Sequence, residues 1–480
     1  MGIKMPVKKS MKSNIVLNSI KTAMGFIFPL ITFPYVSRVL GTVGIGKVNF
    51  SNSIISYFAL AASLGVVSYS IREGSAVREK EIERNNFFNE VFTVNFISML
   101  ISYSLLLILA LVSVKLRDYF SLILIQSMVM FFSWIGVEWV FNIYEDYLQI
   151  TLRAFLAQLA SLVLMFVFVK TPDDYAVYAL ITVLASGGSY IFNYIYAGKY
   201  YRPRLTHHCN LKKHIVPMLV LAANTFAVTI YVNSDTTMIG FFLDDHHVGL
   251  YSTAVKVYNI VKHVMAAVIA SATPRISFYY HNGEKDRYHN LMTKMAQVLL
   301  IVALPAMVGL FMTSEDVILV IAGNEYINSA SALAILSFAL LFATFGSYGA
   351  TYGLIVQRKE KILLAHTTIS AMLNVVLNLF MIPTFGIIGA AITTLISELY
   401  VCVVFSILTE FKYILKECVH TIITCAISCL AIVLICYFMR GISNLYIRLM
   451  ASVVTSAIAH LLLILIRKEE LALSFIKKKR

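Results

Sequence analysis

The sequence predicts an all-α integral membrane protein with about fourteen transmembrane helices. The chain has 480 residues, of which 59% are hydrophobic and only 13% are charged. Its mean hydropathy of +0.79 lies outside the range of soluble globular proteins. The apolar residues are collected in runs of roughly 20 residues, which is the length that a helix needs to cross a bilayer. Only short polar loops separate these runs.

The apolar runs are predicted to be helices because only helices and closed barrels satisfy their backbone groups in lipid, and barrel strands alternate in polarity. The first seven are Asn14–Tyr35, Val48–Ser70, Val91–Val114, Tyr119–Tyr144, Tyr147–Val169, Tyr175–Gly198 and His214–Leu243. The second seven are Val248–Ala272, Met295–Thr313, Ala330–Gln357, Ile362–Ile382, Gly386–Leu408, Thr421–Met439 and Tyr446–Ile466.

A weak internal repeat predicts how the helices group. The turn and following helix at Gly44–Asn49 resemble His247–Ser252, and Gly386–Ala391 is a third echo. We therefore expect two like-oriented six-helix bundles, related by a pseudo-twofold axis around a central cavity, with two extra C-terminal helices. The predicted domains are residues 1–205 (spans 1–6), residues 206–412 (spans 7–12) and residues 413–480 (the two extra spans and a basic tail).

The charge distribution predicts the topology. The formal net charge is +14. With the N-terminus in the cytoplasm, basic residues in cytoplasmic segments outnumber those on the opposite side roughly four to one. The excess of lysine and arginine thus indicates membrane orientation and not nucleic-acid binding. We expect a multi-pass protein of the bacterial inner (cytoplasmic) membrane with both termini in the cytoplasm.

Motifs for cofactor, metal or catalytic chemistry are missing. The six cysteines form no Cys-x-x-Cys pair, and the sequence has no P-loop, His-Glu-x-x-His or Gly-x-Ser-x-Gly pattern. We therefore predict no catalytic residue, no metal site and no bound cofactor, and ATP is not hydrolysed by this chain itself.

Charged residues inside the apolar runs are the main functional candidates, because a charge at mid-bilayer costs roughly 2.5–3.5 kcal/mol. These residues are Lys21, Glu138, Arg153, Asp235, Lys256, Lys262 and Glu398. Polar neighbours extend them into stripes along helix faces, with Asn49 and Asn52 in span 2 and Lys256 and Asn259 in span 8. We expect hairpins 1/2 and 7/8 to face a hydrated cavity, whose mildly positive charge favours an anionic substrate such as a phosphate or an acidic sugar.

The charged and polar residues of these stripes, with two arginines at helix ends, are the predicted functional residues. The predicted substrate-binding set is Lys21, Arg38, Arg72, Arg153, Lys256, Lys262, Asn259, Asn49 and Asn52. The predicted coupling or gating carboxylates are Asp235, Glu138 and Glu398. For each residue a structural role is the alternative: an interhelical pair such as Asp235 with Lys256, a snorkelling side chain, or an interfacial anchor.

Several segments resemble one family. Pro29–Gly41, Ser68–Gly74, Asp235–Gly240, Val248–Lys256, Asn374–Asn378 and Ile382–Ala391 resemble signatures of bacterial polysaccharide flippases, the Wzx-type O-antigen transporters. The resemblance covers roughly residues 14–410. It implies the fold of the MATE-like multidrug/oligosaccharidyl-lipid/polysaccharide exporter superfamily and alternating access. Family members often have about twelve spans, so spans 13 and 14 are a departure that resembles the fourteen-span layout of lipid II flippases.

The predicted function is translocation of undecaprenyl-pyrophosphate-linked oligosaccharide repeat units, for O-antigen or another surface polysaccharide, from the cytoplasmic to the outer leaflet. The resemblance implies coupling to an H⁺ or Na⁺ gradient or to the membrane potential. The predicted partners are the lipid-linked glycan, membrane lipids, and a polysaccharide polymerase with its chain-length regulator. The first alternative is a MATE-like drug/cation antiporter. An alternative of another class is a membrane polysaccharide polymerase or ligase, which needs a large external loop.

Overall fold

A computed structural model of the chain describes residues 11–207, 210–409 and 411–467. Side chains before Met24 and those of residues 25–27, 224, 412 and 413 lie outside this description. The helices of the first half are α1 (Met11–Ser63), α2 (Val66–Val77), α3 (Glu81–Val112), α4 (Val114–Arg117), α5 (Phe120–Ile135), α6 (Glu138–Ile143), α7 (Tyr147–Phe168), α8 (Tyr175–Ala197) and α9 (Leu211–Phe242). Those of the second half are α10 (Asp245–His281), α11 (Lys285–Met312), α12 (Ser314–Ile321), α13 (Ser329–Tyr348), α14 (Glu360–Leu408), α15 (Phe411–Glu417), α16 (Val419–Met439) and α17 (Leu445–Ile466). Short 3₁₀ turns (Pro172–Asp174, Asn324–Tyr326) and a π-helical turn (Gly349–Ile355) complete the regular structure of these residues.

Most helices are long and apolar enough to cross a membrane. Within the described residues eleven pass a test of length and hydropathy, or twelve if the two parts of α9, bent by 50°, form one span. Two of them are far too long for one crossing. The 53 residues of α1 extend about 80 Å if straight, against about 30 Å of hydrocarbon. If α1 and α14 each cross twice, the total reaches the predicted fourteen, which stays a prediction.

The long helix α14 is a hairpin of two antiparallel helices. Thr393 donates a hydrogen bond to Asn378 over 2.5 Å, although fifteen residues separate them in sequence. His366 contacts the hydroxyl of Tyr400 at 2.9 Å across thirty-four residues. The chain reverses at Gly386, whose φ of 60° lies in the left-handed region that favours glycine.

The same kind of break divides α1 at Gly41, where φ is 64°. The predicted fourth span is interrupted as well, since α5 ends before Gly136 and α6 begins only at Glu138. Val137 between them has a φ of 38°, which is unusual for a β-branched residue. Glu138 therefore lies at a break in a membrane helix and not on a continuous one.

The chain divides into two compact units, Met1–Gly249 and Leu250–Arg480. The boundary falls inside α10, whereas the sequence analysis placed boundaries after residues 205 and 412. Those predicted domains stay predictions. In the first unit, α1 is joined to α3, since Asn95 donates to the carbonyl of Ala62 over 2.8 Å and Ser98 to that of Ala61 over 2.7 Å.

The two C-terminal spans are part of the second unit. His460 of α17 contacts the carbonyl oxygen of Ile301 in α11 at 2.9 Å, and its other ring nitrogen contacts Ser428 of α16. Ser428 and His460 are buried. Because apolar side chains gain little by leaving lipid for protein, such polar contacts matter for holding membrane helices together.

The outer surface carries large apolar side chains that suit a lipid environment. Val112, Leu430 and Ile466 are 70%, 67% and 72% exposed. On a water-soluble protein, large apolar side chains exposed to this extent would mark an interaction site or drive aggregation. On a chain of this hydropathy it is the lipid-facing surface of a multi-pass membrane protein.

Candidate substrate pathway

In the first unit, a polar stripe follows the second half of α1. Asn52 is exposed, while Asn49 and Ser56 are partly exposed on the same face. The opposite face is buried and satisfied, because Ser51 hydrogen-bonds Gln126 over 2.8 Å. The helix thus turns one polar face into the protein and leaves a second one uncovered within an apolar span.

In the second unit, α10 carries the matching predicted stripe. Ser252, Lys256, Asn259 and His263 are spaced four, three and four residues apart, which places them on one helix face. His263 is exposed and the other three are partly exposed. A cation at membrane depth requires polar groups beside it, whether from the protein, from water or from a ligand.

Lys262 and Glu398 were predicted to bind substrate and to couple transport, and the structure brings them together. Lys262 Nζ donates to Glu398 Oε1 over 2.6 Å, with side-chain exposures of 29% and 7%. Tyr258 adds its hydroxyl to the same oxygen at 3.3 Å. The α10–α14 pair neutralises both charges, and the sequence analysis did not predict this pairing.

Asp235 lies buried on α9 beside a chain of hydroxyl groups. Thr237 donates to Ser53 over 2.8 Å and contacts the hydroxyl of Tyr57 at 3.1 Å. Tyr57 also interacts electrostatically with Asp235. The carboxylate therefore belongs to a polar contact between α9 and the second half of α1, which no sequence motif indicated.

Two further predicted residues are engaged within the first unit. Arg153 of α7 donates to Asn193 over 2.8 Å, and its guanidinium lies 4.2 Å from the ring centroid of Tyr196. Glu138 is a hydrogen-bond partner of Tyr190 in α8. Both arrangements join neighbouring helices, so the structural alternative is well supported for each of them.

Arg38, Arg72 and Lys21 complete the predicted set. Arg38 is exposed and donates to the carbonyl of Pro34 in its own helix over 2.6 Å. Arg72 is exposed and pairs with Glu73 at 2.8 Å. Lys21 belongs to α1, but its side chain lies outside the described residues, so its predicted role stays a prediction.

The sequence analysis missed a close contact between two turns of the first unit. A Cβ atom on Gly46 would lie 1.8 Å from the carbonyl oxygen of Asp245, and one on Gly249 would lie 2.1 Å from that of Thr42. Thr42 also contacts His246 Nδ1 at 2.7 Å. The contact is reciprocal, because Gly46 and Gly249 occupy the same position in the repeated turn sequence. The repeated turn sequence indicates that the two turns are alike, but it does not by itself predict that they are in contact.

Acidic groups beside this turn are held by local partners. Tyr119 donates a hydrogen bond from its hydroxyl to the Asp245 carboxylate. Partial burial opposes ionisation of Asp244. Backbone and side-chain hydrogen bonds from His247 outweigh burial and lower the pKa of Asp244 below its usual range. Asp244 and His247 thus fix the start of α10.

No metal site is visible in the described ranges. Among those residues, no group of three or more histidine, cysteine, aspartate or glutamate side chains could hold a metal ion. The polar stripes, with their amides, hydroxyls and one ammonium, can instead hydrogen-bond sugars and attract phosphate.

The fold is that of a transporter with many membrane-spanning helices. It is similar to the solved structure of the lipid II flippase MurJ in an inward closed conformation, with a TM-score of 0.72 at 14% identity over 95% of this chain and 99% of that one. It is also similar to an inward-facing multidrug resistance MATE family transporter, with a TM-score of 0.61 over 84% of this chain and 99% of that one, again at 14% identity. These likenesses establish a MurJ/MATE-like transporter fold.

The sequence comparisons identify the family. Residues 11–280, more than half of the chain, match the family described as polysaccharide biosynthesis protein, and residues 221–380 match the MatE family. The chain therefore belongs to the polysaccharide biosynthesis protein family, within the superfamily that the sequence motifs indicated. A proposed O-antigen transporter of Escherichia coli K12 is 24% identical over 84% of this chain and 97% of that protein. A proposed low-salt glycan biosynthesis flippase of Haloferax volcanii is 29% identical over 34% of each chain, so only a third of that relative is spanned.

Proposed function

We propose that this protein is a flippase that moves lipid-linked oligosaccharides across the membrane by alternating access, as a transporter and not as an enzyme. The family match, the O-antigen transporter and flippase relatives and the MurJ-like fold support this function. The structural observation that carries it is the partly exposed polar stripe on α10 that includes Lys256, together with the one at Asn49 and Asn52 on α1.

The physical problem that such a protein solves is the polar head of its substrate. A sugar chain joined to a pyrophosphate cannot cross about 30 Å of hydrocarbon unaided. Polar helix faces inside a membrane protein offer it hydrogen bonds while the lipid tail stays in the bilayer. The positive charge of Lys256 on α10 favours a cargo with negative charge, such as an undecaprenyl-pyrophosphate-linked repeat unit of O-antigen or another surface polysaccharide.

Individual residues receive roles within this proposal. Lys256 would attract the pyrophosphate as a point charge, assisted by Lys21, and Asn49, Asn52 and Asn259 would hydrogen-bond the sugars. Arg38 and Arg72, both exposed, would guide the head group at the helix ends. Arg153, which already contacts Asn193 and Tyr196, would hold α7 and α8 together beside the substrate pathway.

The energy source and the setting are part of the same proposal. Asp235, Glu138 and the Lys262–Glu398 pair would couple transport to an H⁺ or Na⁺ gradient or to the membrane potential, because each carboxylate is placed where a change of charge alters helix contacts. The protein would lie in the bacterial inner membrane with both termini in the cytoplasm. It would hand its product to a polysaccharide polymerase and a chain-length regulator.

Deleting the gene tests this function. We expect lipid-linked repeat units to accumulate on the cytoplasmic leaflet, and the wild-type gene to clear them. Lys256→Met should fail to clear them while still inserting into the membrane, whereas Lys285→Met, at an exposed helix start, should behave as wild type. The assay is leaflet-specific labelling of the glycan in spheroplasts and inverted vesicles.

The same assay separates the alternatives. Repeat units that accumulate on the outer leaflet would indicate a polymerase or ligase, because translocation then precedes the block. A MATE-like drug/cation antiporter is the second candidate, favoured by the MatE match over residues 221–380. For that function the deletion would leave the glycan unchanged and would raise sensitivity to cationic compounds.

A further inference from the structure

A polar cavity lies at the end of the two C-terminal helices, and none of the residues assigned to transport lines it. Its volume is about 210 Å³, and its lining includes Thr313, Glu315, Asp316, Arg440, Arg448 and Ser452. It is formed by the α11–α12 turn, the end of α16 and the start of α17. Sites for drug-sized ligands occupy roughly 300–1,000 Å³, so this cavity suits a smaller polar group and not a sugar repeat unit.

The walls of the cavity are held in place by one ion pair. Arg448 of α17 donates from Nε to Asp316 Oδ2 over 2.9 Å and from Nη2 to the other oxygen over 2.5 Å. Such two-pronged pairing fixes both side chains in orientation. It joins α17 to α12, so the cavity is preformed and does not depend on a ligand to assemble it.

Two other charges in the lining have no such partner. Among the residues that the structure describes, Arg440 and Glu315 make no side-chain hydrogen bond or ion pair, and both are exposed. Arg440 also lies on the predicted external side, where the positive-inside rule disfavours basic residues. One cation and one carboxylate are therefore available to a ligand that carries both signs of charge.

Aromatic residues place this cavity at the level of lipid head groups. Tyr437, Phe438 and Tyr446, at the end of α16 and the start of α17, are 63%, 75% and 61% exposed. Exposed aromatic side chains at helix ends are typical of the membrane–water interface. A polar cavity at the same helix ends therefore lies at a depth where phospholipid head groups are present.

We propose that this cavity binds the head group of an aminophospholipid, with Arg440 on the phosphate and Glu315 on the primary ammonium. A primary ammonium donates hydrogen bonds to a carboxylate, which the trimethylated ammonium of choline cannot do. A head group with phosphate alone would use only Arg440. The site goes beyond the proposed flippase function, since it involves a resident lipid and none of the residues assigned to the glycan.

Lipid binding to the full-length protein tests the site. The protein in nanodiscs or detergent is titrated with phosphatidylethanolamine, phosphatidylcholine, phosphatidylglycerol and undecaprenyl pyrophosphate, and bound lipid is counted by native mass spectrometry. We expect phosphatidylethanolamine to bind most tightly. Arg440→Ala should weaken it about tenfold, as for loss of a charge-assisted hydrogen bond. Glu315→Gln should remove the preference over phosphatidylcholine.

A control variant and three possible results decide against or for the proposed lipid site. Arg117→Ala removes an exposed arginine of the first unit on the same predicted side and should leave all four affinities unchanged. Equal binding of the three phospholipids to the wild type, or unchanged preference in both variants, would overturn the proposal. The proposal would also be overturned if undecaprenyl pyrophosphate bound most tightly and if Glu315→Gln left that binding unchanged. Because binding and not flipping is measured, the outcome is independent of the proposed function.

Discussion

Gly46→Ala is expected to reduce glycan export at least about tenfold, which corresponds to about 1.4 kcal/mol. The added Cβ would lie 1.8 Å from the carbonyl oxygen of Asp245, well inside any permitted contact, and that neighbour is backbone. The turn at Gly41 and the start of α10 would have to separate, and the Thr42–His246 contact of 2.7 Å would be lost with them. A protein that cycles between two arrangements would then lose the one in which these turns meet. Export is measured as surface glycan in the complemented deletion strain.

The chain offers a matched control for this substitution. Gly309 lies inside α11, and a Cβ there would meet no heavy atom within 4 Å, so Gly309→Ala should export normally. Gly249→Ala should reproduce the Gly46→Ala defect, because its Cβ would lie 2.1 Å from the carbonyl oxygen of Thr42. Hydrogen exchange of the two turns should accelerate in both defective variants. Normal export by Gly46→Ala would show that the contact is not used in the cycle.

The sequence was sufficient for the helices and their polar faces, because both depend on local spacing. Apolar runs of spanning length and polar residues three or four apart predict a membrane helix and its stripe without any tertiary information. The stripe on α10 through Lys256 and Asn259 follows that spacing, and both side chains are partly exposed in the structure. The interruption of the fourth span at Val137 was missed, since neither valine nor the flanking residues signal a left-handed backbone.

Pairings between helices could not be predicted in the same way. Spacing along the chain suggests Asp235 with Lys256 as one pair across a hairpin, and that pairing stays a prediction. The ion pair of Lys262 with Glu398, 136 residues further along the chain, has no such local signal. Which charged side chains meet depends on how each helix is rotated and how deep it lies in the membrane. Neither quantity can be predicted from a single sequence. The reciprocal glycine contact had a signal in the repeated turns, yet recognising it required knowing that the turns pack together.

Glu398→Leu is expected to destabilise the second unit by up to about 3 kcal/mol, because it leaves the half-buried Lys262 ammonium without its partner. Lys262→Met should lower the thermal midpoint less, since the Tyr258 hydroxyl still donates a hydrogen bond to the Glu398 carboxylate. The measurement is the midpoint of thermal unfolding of the purified protein in detergent. An unchanged midpoint in Glu398→Leu would mean that the lysine finds another polar environment and that the pair does not hold α10 to α14.

The double variant Lys262→Met/Glu398→Leu separates stability from transport. Replacing both charges by apolar groups of similar size removes the unpaired charge, so the thermal midpoint should return close to the wild-type value. If the pair takes part in coupling, export must still fail, because a neutral contact cannot exchange a proton or respond to the membrane potential. Wild-type export by a fully stable double variant would instead assign the pair a purely structural role. The carboxylates that remain for coupling would then be Asp235, buried beside the hydroxyl chain of α9 and α1, and Glu138 at the break before α6.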